Sequence, residues 1–406
     1  MKFKAIGFQL AAGVLRAIYF FIKIMSRRRD RIVLICCEDD EPTQDIRDLA
    51  EALRAQGAEV LVRAGRMRRN PAGALAFIGE MLGQMRAIAS ARVCAIDAYA
   101  ASVSLLRHRA GTRFVQLWHA PEAIKKFSLQ IVGTPAGQRP ETARALHMHE
   151  GYDAILCPSD ATRPFFEEAF GYPASAFVKL GLPALDRISA LRDCGGGSAR
   201  AELLAQYPAL AGRKVVVYAP TFRDGRPVDA AGLANALKAE AGRLPGARAA
   251  LVLKLHPLDA ARDEIETFLR NTQDTRDTAE AGEAGPFVLC SDDEFPTLRW
   301  YALADAVVTD YSGVIVEAAA FGTAVYGYLY DADRYAAERG LNVDLRCEAI
   351  GPYCFKEAAA LSAQALRDLY EGTYDFARLR AFRDKYLEVP LSGNTEHLAA
   401  WLLSLI

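Results

Sequence analysis

The chain has 406 residues, too many for one ordinary hydrophobic core and well suited to two domains of roughly 150–200 residues each. Apolar residues make up 51% and charged residues 24%, a folded composition that excludes a disordered polymer. The formal net charge of -1 excludes a general nucleic-acid binder, whose domain would be distinctly basic.

Residues 1–30 stand apart from the rest. "FQLAAGVLRAIYFFIKIMSRRRDR" is rich in apolar residues, but Arg16 and Lys23 interrupt it, so no run approaches the ~20 residues of a spanning helix. Gln9, Arg16 and Lys23 recur every seven residues and share one helical face, and Lys2 extends the series. A helix with one basic stripe and a wide apolar face is expected to lie in a membrane interface, with Arg27, Arg28, Arg29 and Arg31 drawn to anionic lipid. The alternative is a helix packed on the domain core. The basic cluster follows the apolar stretch rather than preceding it, which argues against a cleaved signal peptide.

From residue 31 short apolar runs alternate with helical stretches. "RIVLICC", "AEVLVRAG", "RVCAIDAY", "TRFVQLWHA", "YDAILCPSD" and "AFVKLG" read as strands, with helices such as "TQDIRDLAEALRAQG" between them. "ALRDCGGGSAR", residues 190–200, reads as a hinge between domains. The series then restarts with "KVVVYAPTF", "AALVLKLHP", "PFVLCSD", "AVVTDYS" and "AVYGYLY". Residues 271–286 read as a polar surface loop. Repeated βαβ alternation predicts parallel sheets covered by helices, hence an α/β protein with a doubly wound domain at 31–195 and another at 196–406. Ligands of such domains bind beyond the carboxyl ends of the strands, and two of them imply a cleft.

Each notable polar cluster falls at such a strand end. His119 closes "FVQLWH"; Thr221 and Arg223 close "VVVYAPTFR"; His256 closes "LVLKLH", with Pro257 as the stop; Thr309, Asp310, Ser312 and Gly313 close "AVVTDYSG". Gly181 and Asp186 bracket the turn after "FVKLG". Ser312 is placed to cap the following helix, whose first N–H groups and dipole make an anion site, and Gly313 permits close approach of a phosphate. Glu317, one to two turns in, can accept hydrogen bonds from ribose hydroxyls. Arg223 offers a fork of donors to phosphate oxygens or a surface ion pair. His119 can take a proton from a hydroxyl near neutral pH; Lys125 and Lys126 beside it either hold an acceptor's phosphate or form a solvated face. His147 and His149 read as surface residues. No P-loop, no G-x-G-x-x-G and no strand-end D-x-D stands in the sequence, and the eight cysteines include no C-x-x-C pair, so no metal or organic cofactor is expected and a reduced, cytoplasmic setting fits.

Taken together, "QLWHAPEAIKKF", "YDAILCPSD…GLPALDRI", "YAPTFR", "LKLHP" and "ADAVVTDYSGVIVEAA…YLYDADRYAAERGLNVDL" resemble, in order and spacing, the CDP-glycerol glycerophosphotransferases of teichoic-acid synthesis. Ala120 and "IKKF" resemble the short priming members more than the long polymerases. The resemblance implies a GT-B fold, with the last helices packing back on the first domain, at the cytoplasmic face of the membrane. It implies transfer of glycerol phosphate or a similar polyol phosphate from a CDP-alcohol to a lipid-linked saccharide, with release of CMP. His119 would be the general base; His256, Arg223 and the Ser312–Gly313 helix start would hold the diphosphate, and Glu317 the ribose. The sequence departs from the family's habit at Ala184, where Arg is frequent, and at Gly313, where a second Ser is. A nucleotide-sugar glycosyltransferase or epimerase on the same fold is the first alternative, and a non-catalytic nucleotide-binding protein the second.

Overall fold

Along Ile32–Cys36 successive side chains enter two different apolar clusters. Val33 and Ile35 join one; Ile32, Leu34 and Cys36 join the other. A strand that alternates between two buried faces belongs to a parallel sheet covered on both sides. The computed structural model describes residues 2–37, 39–65, 71–223, 225–256, 259, 286–292 and 294–406, with the backbone alone for 2–11 and 71–77. Pro257 and all but the last residue of the polar stretch 271–286 lie outside the described residues.

The chain divides into two units. Unit 1 comprises Met1–Asp186, Glu338–Gly340 and Tyr386–Ile406. Its strands are β1 (Arg31–Cys36), β2 (Glu59–Ala64), β3 (Val93–Ile96), β4 (Arg113–Gln116), β5 (Ala154–Cys157) and β6 (Phe177–Lys179). They pair in parallel in the order β2-β1-β3-β4-β5-β6. One face is covered by the helix Pro71–Ser90 through Met81, Met85 and Ile88, and by Tyr19 of the N-terminal helix Lys2–Met25. The other face is covered by Ile46, Leu49 and Leu53 of the helix Gln44–Ala55 and by Leu398, Ala399 and Leu402 of the C-terminal helix Asn394–Leu403. Asp186 holds that last helix: its carboxylate accepts from the Asn394 and Thr395 backbone N–H groups, from Asn394 Nδ2 and from Thr395 Oγ1. A Cβ at Gly181 would stand 2.1 Å from Asn394 Oδ1, so a larger residue there would push the Asn394 side chain out of place.

The N-terminal helix docks on unit 1 through Arg16, Tyr19 and Lys23. Arg16 Nε donates to Leu105 O and Lys23 Nζ to Arg107 O, while Tyr19 Oη pairs with His108 Nδ1. Arg28 donates to Ala110 O, and Arg29 and Arg31 pair with Glu59. Arg16 and Lys23 therefore face protein, because the carbonyls of the segment 105–110 need donors. The outward face is apolar: Val14, Ile18, Phe20, Phe21, Ile24 and Met25 are exposed.

Unit 2 comprises Arg187–Ala337 and Leu341–Lys385. It holds β7 (Lys214–Tyr218), β8 (Ala249–Leu253), β9 (Phe287–Ser291), β10 (Ala306–Thr309), β11 (Ala324–Tyr328) and β12 (Cys354–Phe355). The parallel order is β12-β11-β10-β7-β8-β9. The order reverses between β7 and β10, which opens a crevice at their carboxyl ends. Of the three glycines read as a hinge, Gly195 and Gly196, with φ of 61° and 81°, lie in the turn between the helices Pro183–Asp193 and Gly197–Gln206, and Gly197 opens the second of these; all three belong to unit 2.

Candidate active site

In unit 2 the switch point between β7 and β10 gathers most of the expected donor-binding residues. The loop after β10 turns inward through Asp310, which is fully buried and accepts from Thr221 N (2.8 Å), Tyr311 N (2.6 Å) and Arg223 Nη2 (2.8 Å). Thr309 is equally buried and donates its hydroxyl to Ala219 O at 2.7 Å. Arg223 is buried too. Its Nε and Nη2 grip both oxygens of Asp331 (3.0 and 3.1 Å), and Nη1 reaches Thr221 O at 2.6 Å. The guanidinium also lies 4.5 Å over the Tyr335 ring, which stacks on Tyr311. Burial works to lower the Arg223 pKa, but the charges of Asp310 and Asp331 outweigh it and raise it above the usual value.

Thr309, Asp310 and Arg223 thus serve as internal struts: the buried carboxylates of Asp310 and Asp331 share the Arg223 fork, and Thr309 is tied to Ala219 O. Ser312 is displaced by one position: the helix Val314–Phe321 has Gly313 at its N-cap, and Ser312 Oγ accepts from Val314 N at 3.4 Å. What the struts present is the half-buried Ser312–Gly313 turn and the first N–H groups of that helix, with Glu317 in its first turn accepting from Tyr301 Oη. Thr221 Oγ1 is buried with no partner among the described residues.

His256 follows β8 on the other side of β7. It is exposed, and its ring lies 4.6 Å from that of Phe222. Two residues earlier, Lys254 donates to Asp292 Oδ2, Asp292 O and Phe295 O at 2.7–2.9 Å, which ties the end of β8 to the end of β9. Burial pushes the Asp292 carboxyl up, yet Lys254, Trp300 and Tyr207 together hold it below the usual carboxylate range. Neither Lys254 nor Asp292 was singled out in the sequence, and nor was Asp331. The readable signal for Asp331 was its place just after β11, in "YLYDAD".

Unit 1 carries the other expected group. His119 is exposed just after β4, and its Nδ1 lies 3.3 Å from Asp97 O. A carbonyl accepts only, so the neutral ring protonates Nδ1 and leaves the lone pair on Nε2. The approach to it is strained. Trp118 has φ of 61°, a left-handed conformation that a bulky residue rarely adopts. Buried Gln116 holds this turn: its Oε1 accepts from Trp118 N, and its Nε2 donates to Ala98 O. Lys125 and Lys126 are half-buried on the next loop. Lys126 N donates to Gly340 O, and Arg339 Nε donates to Lys126 O. Gly340 has φ of +87°, and a Cβ there would meet the Lys126 stem at 2.7 Å. His149, read as a surface residue, is buried instead among Tyr99, Trp118, Tyr152 and Phe170. Among the described residues no group of three or more His, Cys, Asp or Glu side chains could hold a metal ion.

Comparison with known proteins places these features in a family context. The family described as CDP-glycerol:poly(glycerophosphate) glycerophosphotransferase matches residues 17–401. The chain is 25% identical over 414 residues to a teichoic acid ribitol-phosphate primase of Bacillus spizizenii, covering 98% of this chain and 97% of that one. It is 23% identical over 329 residues to a teichoic acid glycerol-phosphate primase of Bacillus subtilis, covering 78% and 74%. Among solved structures, that of the wall teichoic acid polymerase TagF superposes with a TM-score of 0.68 at 15% identity, covering 100% of this chain and 98% of that one. A UDP-GlcNAc 2-epimerase from Neisseria meningitidis gives 0.54 at 12% identity, covering 92% and 100%. These structural likenesses speak for the fold alone, two Rossmann-like units of the GT-B class.

Proposed function

Because the chain belongs to the CDP-glycerol:poly(glycerophosphate) glycerophosphotransferase family, we propose that it moves a polyol phosphate from a CDP-alcohol to a hydroxyl of a lipid-linked saccharide in teichoic-acid-like polymer synthesis. Glycerol and ribitol are the polyols named for its relatives. The acceptor hydroxyl loses its proton to His119 Nε2 as its oxygen bonds to the phosphorus that bears the alcohol. The bond from that phosphorus to the bridging oxygen breaks, and CMP leaves with the electron pair. The Ser312–Gly313 turn and the helix start receive the diphosphate, with Thr221 Oγ1 beside them. His256 donates to a phosphate oxygen, and Glu317 accepts from the ribose. Lys125 and Lys126 attract the acceptor's phosphate. Fixed dipoles and positioning carry most of such catalysis. The apolar outer face of the N-terminal helix would rest on the membrane surface; no helix among the described residues is long and apolar enough to cross it.

The observation that carries the reading is His119, exposed at a strand end with its Nδ1 3.3 Å from the Asp97 carbonyl, which fixes the ring's orientation. Titration calorimetry of CDP-glycerol, CDP-ribitol and UDP-N-acetylglucosamine against wild type and His119→Ala tests it, alongside CMP release. Both forms should bind a CDP-alcohol equally, while the variant's transfer rate falls by about 10²–10⁴. Binding of the uridine nucleotide alone would instead support a nucleotide-sugar enzyme.

A further inference from the structure

The hydrogen-bond ladder between β3 and β4 is cut short just before His119, and a side chain cuts it. Leu117 N donates to Ile96 O at 2.7 Å, a rung that carries the pairing of the two strands one residue past Gln116. Rungs of a parallel ladder recur at every second residue, so the next would run from His119 N to Ala98 O. Instead Gln116 Nε2 donates to Ala98 O at 3.1 Å, while Gln116 Oε1 accepts from Trp118 N at 2.9 Å. Gln116 is fully buried. A backbone N–H only donates and a carbonyl only accepts, so a side-chain amide of this length answers both, whereas a carboxylate or an apolar chain cannot.

With the rung taken, the backbone leaves the strand at Trp118, whose φ of 61° is held against its own strain by the surroundings. The indole packs on Phe127 at 5.0 Å and on Phe170 at 5.3 Å, and the His119 ring lies 4.3 Å from it. The imidazole then meets Asp97 O, the carbonyl next to the one that Gln116 occupies. We propose that Gln116 is a positioning residue for the candidate base: its amide replaces the next rung between β3 and β4 and so holds His119 off the sheet, with its ring against Asp97 O. Without the amide, Ala98 O regains a partner when the rung to His119 N forms, and the imidazole is drawn away from Asp97 O. The proposal rests on the reading of His119 as general base. Gln116 touches no reacting atom and acts through His119 alone.

The test is a double-mutant cycle on the full chain, read as CMP release from CDP-glycerol or CDP-ribitol with a lipid extract of Bacillus membranes as acceptor, alongside calorimetric affinity for the same CDP-alcohol. Gln116→Met keeps the length of the side chain and removes both hydrogen bonds. With His119 present it should lower turnover by about 10–10²-fold and leave the affinity within about twofold of wild type. In the His119→Ala background it should change the residual rate by less than about twofold, because the group it positions is gone. Gln116→Asn keeps an amide in the buried space but is one methylene too short to bridge Trp118 N and Ala98 O, and it is read in the same way should the methionine variant not fold. An equal fall on both backgrounds would show a general disturbance of unit 1, and no fall with His119 present would show that the ring needs no such hold. Either result overturns the role of Gln116 and leaves His119 as the base. If His119→Ala turns over as fast as wild type, or wild type releases no CMP, the transfer reading itself falls and the positioning with it.

Discussion

Arg223 has five N–H donors, and four contacts to Asp310, Asp331 and Thr221 O use most of them inside the fold. Removing it would leave buried Asp310 without a cation and Asp331 with only the longer Arg334 contact at 3.4 Å, a loss of roughly 3–5 kcal/mol. Urea unfolding of Arg223→Met should show a drop of that size. Arg223→Lys should lose part of it, because an ammonium cannot serve both carboxylates in one plane. If Arg223 instead contacted phosphate directly, Arg223→Lys would weaken CDP-alcohol binding without moving the unfolding midpoint. The strand-end position of Arg223 was legible in "VVVYAPTFR", because an apolar run that stops at a polar cluster can be seen locally. Its partners were not. Asp310 lies 87 residues away and Asp331 108, and only the strand order brings them together. The same holds for Gln116, whose function in shaping the approach to His119 depends on a carbonyl after the neighbouring strand.

At the scale of elements, parallel strands announced themselves because both faces are buried, so each reads as a short apolar run. β12 did not: it is two residues, Cys354–Phe355, between short turns, and pairs only with the end of β11. The segment Leu146–Glu150 was misread for a different reason. Spacing arguments assume regular backbone, but His147 and His149 have φ of 48° and 61°, and that left-handed bend carries His149 inward against the Phe170 ring of the helix Arg163–Phe170. Burial there pushes the His149 pKa down to about 4. The folded state then binds fewer protons than the unfolded one below the ordinary value near ~6.5, so stability is full above that pH and declines toward pH 4. Between pH 7 and pH 5 the loss from one such histidine is about 2 kcal/mol. Unfolding free energies measured at the two pH values should fall by about that much more in wild type than in His149→Gln. An equal fall in both would show that His149 titrates normally in the folded chain.

For the molecule as a whole, a net charge of -1 provides no general attraction to an anionic surface. Any hold on a bilayer must come from a local feature, and the N-terminal helix is the strongest one among the described residues. Its sequence suggested an interfacial helix with one basic stripe, followed by arginines drawn to anionic lipid. Folding assigns that stripe another task, since Arg16, Lys23 and Arg28 donate to carbonyls of the 105–110 segment and Arg29 and Arg31 pair with Glu59. What remains outside is a ridge of Val14, Ile18, Phe21 and Met25 at helical spacing, flanked by Phe20 and Ile24. Proposed membrane association should therefore be driven by apolar insertion more than by charge. Burying a Phe and a Met side chain in the interface is worth roughly 1.5–3 kcal/mol each, so Phe21→Ser with Met25→Ser should weaken vesicle binding by about 10²–10⁴. Raising the salt from about 0.1 M to about 0.5 M should change wild-type binding far less than that, because screening acts on exposed charges and leaves apolar burial in place. Flotation with vesicles of phosphatidylcholine alone and with added phosphatidylglycerol would read both effects. Binding that collapses with salt and ignores the double substitution would return the leading part to the arginines.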